Sequence, residues 1–459
     1  MSEHLNDKLA DLRQYFLSGV TRPAKFRVEA LKKLRAAIYQ FEEEIYTSLY
    51  ADLRKGREEI WITETGFTIS EISNAISNVD RWMQPESRST NMLNFPSKSY
   101  VIAEPLGTVL IMAPWNYPFN LLLTPLIGAI AAGNCVVLKP SEFAPATAAV
   151  IRKIIATAFA PEHVLVVEGD GATVVPAMMN DFNFDHVFYT GSTAVGRSVY
   201  KMAAEKLIPV TLELGGKSPC VVEDDANIEV AARRIVMTKF SNAGQMCVAP
   251  DYLLVNSQVV DKLVTALRKY IRQFFGEDPQ RCEEFGRIIN EKQWKRLVSL
   301  IDDATVLHGG GNDINDLYIE PTLLTNILPG NKVMTEEIFG PVLPVIPYAT
   351  TAEAMEWINR HPNPLAFYVF TSSRKKEKEW LTNVPFGGGC VNNSALHLTN
   401  AALPFGGRGA SGTGRYHGKY SFDTFSHFKA IMKSPTWFDP ALKYPPLKGK
   451  LKLLRWLIR

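Results

Sequence analysis

The sequence predicts an α/β protein built on a mainly parallel sheet with helices on both faces, and three observations carry that prediction. Short apolar stretches at 108–112, 135–138, 164–167, 187–190 and 210–214 alternate with segments of helical length, the pattern of parallel strands joined by crossover helices. The chain has 459 residues, too many for one ordinary domain, so two large domains are expected. No internal repeat or low-complexity linker separates them, which predicts packed rather than tethered domains.

The elements follow in order. Residues 1–82 read as a helical lead-in, with Val28, Leu31, Leu34 and Ile38 at three- and four-residue steps. The apolar run 121–138 approaches the length of a membrane span, but Thr124, Pro125, Gly133 and Asn134 interrupt it. It is read as a buried helix followed by a buried strand. A second apolar, glycine-punctuated region runs from 215 to about 396, followed by Leu403-Pro404-Phe405-Gly406-Gly407-Arg408-Gly409. In sheets of this kind ligands bind beyond the carboxyl ends of the strands, so the chemistry is expected there.

Composition narrows the function classes. A hydrophobic fraction of 46% and a charged fraction of 21% are those of a globular protein. The N-terminus carries acids and no apolar core, so it does not read as a secretory signal, and a cytoplasmic location is expected. Five cysteines without metal-like spacing argue against a disulfide framework and against a metal site. Basic and aromatic residues are nowhere interleaved in a nucleic-acid motif, so no nucleic acid is expected. Net charge is +3, yet Lys443, Lys448, Lys450, Lys452, Arg455 and Arg459 are all positive, which leaves the rest of the chain slightly acidic. With Leu447, Leu451, Leu454 and Ile458 at helical spacing, residues 443–459 predict a basic amphipathic helix. Two readings stay open for it: a peripheral contact with anionic lipid, or docking on its own protein or a second subunit.

Among the cysteines, Cys247 alone follows a run of small and polar residues, Phe240-Ser241-Asn242-Ala243-Gly244-Gln245-Met246. At two strand ends, Lys139-Pro140-Ser141-Glu142 supplies an ammonium and a carboxylate suited to ribose hydroxyls. Gly191-Ser192-Thr193-Ala194-Val195-Gly196 reads as a turn opening a helix, whose free N–H groups suit a phosphate. The second segment is neither G-x-G-x-x-G nor a P-loop.

Asn116 in Ala113-Pro114-Trp115-Asn116-Tyr117-Pro118, Glu213 in Leu212-Glu213-Leu214-Gly215-Gly216-Lys217, and Cys247 together resemble the aldehyde dehydrogenase superfamily. The resemblance extends through the 191–196 turn, Glu336-Glu337-Ile338-Phe339-Gly340-Pro341 and Leu403-Pro404-Phe405-Gly406-Gly407. Val248-Ala249-Pro250-Asp251-Tyr252, Tyr416-His417-Gly418-Lys419 and Tyr444-Pro445-Pro446 resemble its class 3, fatty and aromatic aldehyde branch. This resemblance implies a Rossmann-type NAD(P)-binding domain over 1–82 and 103–213, and a catalytic domain over 214–396. A bridging and oligomerisation element would be made of 83–102 and 397–459. It implies oxidation of medium-chain aliphatic or aromatic aldehydes with NAD, NADP also being accepted, in a homodimer.

The resemblance also implies the roles. Cys247 is the nucleophile, Glu213 the general base, and Asn116 with the Cys247 backbone N–H the oxyanion donors. Lys139 and Glu142 hold ribose, Gly191, Ser192 and Gly196 the pyrophosphate, and Glu337 with Phe339 the nicotinamide ribose. No metal is required. Lys217 is read as structural, His417 as a loop residue, and Phe386, Trp115 and Tyr117 as candidates for an apolar aldehyde funnel. Two competing readings remain: a coenzyme A-acylating relative, against which Glu213 argues, and a non-catalytic binding protein, against which the retention of Asn116, Glu213 and Cys247 argues.

Overall fold

The computed structural model describes residues 3–458; Met1, Ser2 and the last tail charge, Arg459, lie outside the described residues. The strand pattern read from the sequence assembles into a six-stranded sheet ordered Gly412–Thr413, Val210–Glu213, His186–Thr190, Thr108–Met112, Cys135–Lys139 and Val164–Val166. The last five are parallel, and Gly412–Thr413 pairs antiparallel at the edge, with Gly412 opposite Glu213. Every residue of the three central strands is buried, which is why they read as continuous apolar runs rather than alternating ones. The chain begins this sheet in the middle and grows it first to one side and then to the other. The strand order therefore reverses at Thr108–Met112, and a crevice opens beyond that strand's carboxyl end.

Residues 219–391 build a second sheet of seven strands. Their order is Thr305–His308, Thr322–Thr325, Val342–Tyr348, Tyr252–Asn256, Pro219–Val222, Ala366–Phe370 and Gly388–Val391, and only the first is antiparallel. Between the two sheets the chain spans only Leu214 to Ser218, so Glu213 and the second sheet lie a few residues apart. A third, antiparallel sheet joins Glu86–Arg88, Lys98–Pro105 and Ser426–Lys433.

The helical lead-in forms Glu3–Leu17, Ala24–Gln40, Glu42–Leu53, and a continuous run from Arg57 to Trp82 broken by a π-helical turn at Trp61–Thr65. Leu31, Leu34 and Ile38 are fully buried, as their spacing requires. The apolar run after residue 120 is the buried helix Asn120–Ala132 followed by the buried strand Cys135–Lys139. Among the described residues no helix is long and apolar enough to cross a membrane.

The tail departs from expectation. Only Leu451–Leu457 is helical, because Pro445 and Pro446 lack backbone donors and Gly449 takes a φ of 86°. Leu447 precedes the helix, and Leu447, Leu451 and Ile458 are exposed rather than packed on the chain.

Candidate active site

Three segments meet at the crevice, each for a local reason. The strand Thr108–Met112 runs directly into the Asn116 loop. Glu213 ends its own strand opposite Thr190, and its carbonyl accepts from the Gly191 N–H at 3.0 Å. Cys247 follows a tight turn in which Asn242 and Ala243 both have a φ of 50° and Gly244 a φ of 74°. At Gly244 a side chain would strike the Gly340 carbonyl, 2.2 Å from the position of a Cβ, so the cysteine loop packs against the Glu337–Gly340 loop. The polar residues before the cysteine are spent on holding this shape. Gln245 is wholly buried, its Nε2 donates to Asn242 O (3.0 Å) and Arg287 O (2.9 Å), and its Oε1 accepts from Ile289 N (3.0 Å).

Cys247 and Glu213 line one cavity of about 630 Å³, a size suited to a small organic ligand. Its other walls include Phe67, Tyr117, Met237, Phe274, Leu398 and Phe405, so an apolar chain or ring fits. Glu213 is buried, and neither carboxylate oxygen has a hydrogen-bond partner. Burial accordingly pushes its proton affinity well above the usual carboxylate range. Burial also raises the Cys247 thiol, and the nearby carboxylates of Glu337 and Glu213 add to that; the backbone N–H groups of Cys247 and Val248 work in the opposite direction. Burial therefore favours the protonated thiol at Cys247 and the protonated carboxyl at Glu213, two proton-holding groups in one cavity.

Asn116 does not line the cavity. It lies behind the cysteine loop, where its Nδ2 donates to Gln245 O at 3.0 Å while Oδ1 has no partner. An amide nitrogen carries two hydrogens, so one N–H remains beyond the bond to Gln245.

The cofactor candidates lie at the carboxyl ends of two strands of the first sheet, Cys135–Lys139 and His186–Thr190, and on the loop that carries Glu337. Lys139 Nζ donates to Glu142 Oε2 at 2.5 Å, and Glu142 Oε1 accepts from Gly171 N at 3.0 Å. Burial works against ionisation of Glu142, but Lys139 and the backbone donors of Glu142 and Gly171 outweigh it and hold the carboxyl below its usual range. Ser192 caps the helix Thr193–Glu205 by accepting from Val195 N. At Gly191 a Cβ would lie 2.3 Å from the Tyr189 hydroxyl, and at Gly196 one would lie 2.5 Å from Leu214 Cδ2. Only glycine leaves this backbone bare and close to the sheet, the requirement for a phosphate cradle at a helix N-terminus.

Glu337 presses against Gly215, where a Cβ would meet Oε2 at 1.8 Å. Burial, and then the charge of Asp251, raise its carboxyl to about 8. Phe339 sits at a φ of 51° and packs edge-on against Trp115, ring centroids 5.3 Å apart. The donors and acceptors present fit a nicotinamide dinucleotide.

Lys217 is structural, as the sequence suggests. It is buried, pairs with Asp251, and donates to Val333 O (2.8 Å) and Glu336 O (3.0 Å), while Asp251 also accepts from Ile338 N (2.9 Å). Together they hold the loop that carries Glu337. Of the proposed funnel residues only Tyr117 lines the cavity; Trp115 faces Phe339, and Phe386 stacks on Phe367 at 5.2 Å. His417 is more than a loop residue. It is buried, lines the cavity, stacks on Phe405 at 5.2 Å, and has its Nδ1 2.9 Å from Leu398 O; burial lowers its pKa to about 4.

Sequence reasoning missed Lys55, Glu59 and Glu64, which lie beneath the Asn116 and Cys247 loops. Their only signal was charge, Lys55 and Glu59 within the run Arg54-Lys55-Gly56-Arg57-Glu58-Glu59 and Glu64 on the helix that follows, which by itself reads as a solvated face.

Fold and site together define an oxidoreductase with a nucleotide-binding, Rossmann-like sheet and a cysteine in the wall of an apolar cavity. The aldehyde dehydrogenase family model matches residues 10–431. The chain is 45% identical over 453 residues to the 4,4'-diaponeurosporen-aldehyde dehydrogenase of Staphylococcus aureus (strain NCTC 8325 / PS 47), covering 98% of each. It is 43% identical over 450 residues to aldehyde dehydrogenase family 3 member B1 of Homo sapiens, covering 96% of this chain and 94% of that one. The solved substrate-bound Staphylococcus aureus AldH superposes with a TM-score of 0.97 at 44% identity over the whole of both chains. The NAD+ complex of a Bacillus cereus aldehyde dehydrogenase gives 0.84 at 28% identity, covering 93% of this chain and 88% of that one. The chain belongs to the aldehyde dehydrogenase family, with family 3 members among its relatives, and is an enzyme that oxidises aldehydes.

Proposed function

We propose that this enzyme converts medium-chain aliphatic or aromatic aldehydes to free carboxylic acids, using NAD as acceptor with NADP also accepted, through a thiohemiacetal and a thioester on Cys247. The observation that carries this reading is Glu213, a buried carboxyl with both oxygens unpartnered in the same cavity as the cysteine. Such a group is costly to maintain and is explained by work on protons.

In its ionised form Glu213 takes the proton from the Cys247 thiol as the sulfur attacks the aldehyde carbon, so turnover draws on the enzyme in which this carboxyl has already given up its proton. The carbonyl oxygen becomes negative, and the Cys247 backbone N–H with the free N–H of the Asn116 amide stabilises it. When bound, the nicotinamide cofactor accepts the hydride that leaves the adduct carbon. Glu213 releases that first proton to solvent and then draws one from water, whose oxygen attacks the thioester carbon; the acid departs as the carbon–sulfur bond breaks, and the leaving sulfur takes the proton back from Glu213. Lys139 and Glu142 would hold ribose, Gly191, Ser192 and Gly196 the pyrophosphate, and Glu337 with Phe339 the nicotinamide ribose. A carboxylate at Glu142 repels a 2′-phosphate, which ranks NAD first.

The test is formation of reduced cofactor with hexanal and benzaldehyde, NAD and NADP in parallel, without coenzyme A or phosphate. Reduced NAD together with the matching acid is expected. Silence until coenzyme A is added would move the enzyme to the acylating class.

Our reading also has the enzyme in the cytoplasm as a homodimer, peripheral at the membrane. Ser426–Lys433 is a long edge strand with Phe428 and Met432 exposed, a surface suited to a second copy. Trp437, Leu447, Leu451, Trp456 and Ile458 are exposed among lysines and an arginine, which suits an anionic lipid surface. Removal of residues 443–459 should abolish co-sedimentation with phosphatidylglycerol vesicles and leave turnover on soluble aldehydes within about twofold. Unchanged sedimentation would leave the tail only a docking role.

A further inference from the structure

Beneath the cysteine loop lies an ion pair that the chemistry above does not use. Lys55 and Glu64 face each other at 2.7 Å with both side chains wholly inaccessible. Two charges removed from water cost more than they return unless every lone pair and proton is satisfied, and apolar residues of the same volume often give a protein at least as stable. A pair of this kind points to a purpose other than stability.

Its remaining contacts show what it holds. Lys55 Nζ donates to Asn116 O at 2.9 Å and lies 3.8 Å over the Tyr117 ring. Glu64 Oε2 accepts from Asn120 N at 2.8 Å, the first residue of the helix Asn120–Ala132. One ion pair therefore grips both ends of the segment 116–120. Glu64 itself sits in the π-helical turn Trp61–Thr65, a local rearrangement that redirects a side chain. Thr63 O in the same turn accepts from Asn120 Nδ2 at 3.0 Å.

The Asn116 carbonyl takes a second donor, Asn242 Nδ2 at 2.8 Å, and that amide also reaches Gln245 O at 3.1 Å. Asn242 in turn is pinned through its N–H to Glu59 Oε1 at 2.7 Å. Asn116 and the cysteine loop are thus fixed to one another, with Lys55 the only cation in these contacts among the described residues.

We propose that Lys55, paired with Glu64, is a positioning residue that sets the Asn116 amide against Cys247 for the first chemical step. This rests on the reading of Asn116 as an oxyanion donor. A donor displaced by a fraction of an ångström loses much of its effect on a developing charge, whereas it matters little to the binding of a neutral aldehyde.

The experiment is a stopped-flow measurement of the first-turnover burst of reduced NAD with hexanal. The proteins are the wild type, Asn116→Ala, the shape-matched pair variant Lys55→Met/Glu64→Gln, and the combination of all three changes. The pair variant should slow the burst rate constant by about 10- to 100-fold, with burst amplitude per site and KM for hexanal within about twofold of wild type. Adding the pair change to Asn116→Ala should slow it no further, because the pair acts through Asn116.

A burst rate unchanged in the pair variant but slowed in Asn116→Ala would overturn the proposal alone. So would a lowered amplitude at unchanged rate, the signature of damaged folding, or effects that multiply in the combined variant. An unchanged burst in Asn116→Ala would overturn the reading of Asn116 and the proposal with it. Should the pair variant melt below the assay temperature, Glu64→Gln alone replaces it, with a slowing of about threefold or more expected and none overturning the proposal.

Discussion

Asn116 and Glu213 sit at the ends of strands in the same sheet, are equally buried, and are held in opposite ways. Asn116 is tied by its carbonyl to Lys55 and Asn242 and by its amide to Gln245. The Glu213 backbone is anchored by Gly191 and the edge strand, but its carboxylate touches no donor at all. A group that presents a hydrogen bond to a developing charge gains from being immobile, since any reorganisation is subtracted from the transition state. A group that takes protons from two different atoms in turn must stay free of fixed partners, and its strained ionisation makes it a willing base.

The widest test of this contrast is the proposed nucleophile, Cys247, on which both residues would act. Cys247→Ala should lower aldehyde turnover by at least about 1,000-fold while the dissociation constant for NAD, read by fluorescence titration, changes little. Residual turnover near the wild-type rate would remove the centre of the arrangement.

Glu213→Gln comes next in size. Steady-state turnover should fall by about 100- to 10,000-fold, with the first-turnover release of reduced cofactor also slowed because the thiol has lost its base, and with acyl-enzyme accumulating once formed, detectable by intact-mass measurement. A first turnover as fast as wild type would remove Glu213 from thiol activation and leave it as the base for water alone.

The smallest effect is on stability, and its sign follows from the unpartnered carboxyl. Above the ordinary carboxylate range an unfolded chain gives up this proton while the folded protein keeps it, so wild-type stability is lost as pH rises. Glutamine cannot ionise. Melting of Glu213→Gln should therefore match wild type near pH 4 and exceed it by about 2 °C or more near pH 8. A gap that narrows with pH would show that the carboxylate has a partner.

Much of this was legible in the residues. The strands 108–112, 135–138 and 187–190 announced themselves because burial on both faces leaves an unbroken apolar run, and the strand ends where Lys139, Gly191 and Glu213 sit followed from that. The tail was misread because helical spacing at Leu447 and Leu451 says nothing of the prolines between Lys443 and Leu447. His417 was undervalued because a residue between Tyr416 and Gly418 gives no hint of the Phe405 ring against which it stacks.

By itself, then, the sequence determined the α/β class, the family resemblance, and the choice of Cys247 and Glu213 as the proposed nucleophile and base, since these reside in local runs and short motifs. Only the tertiary structure decided which charges lie beneath the site. Lys55, in the link after Leu53, and Glu59 and Glu64, on the helical run that follows, are exposed-type residues, and the burial of Lys55 and Glu64 depends on packing against a distant segment, Asn116 lying 61 residues from Lys55. Burial is a property of what covers a residue, and no periodicity along the chain encodes that.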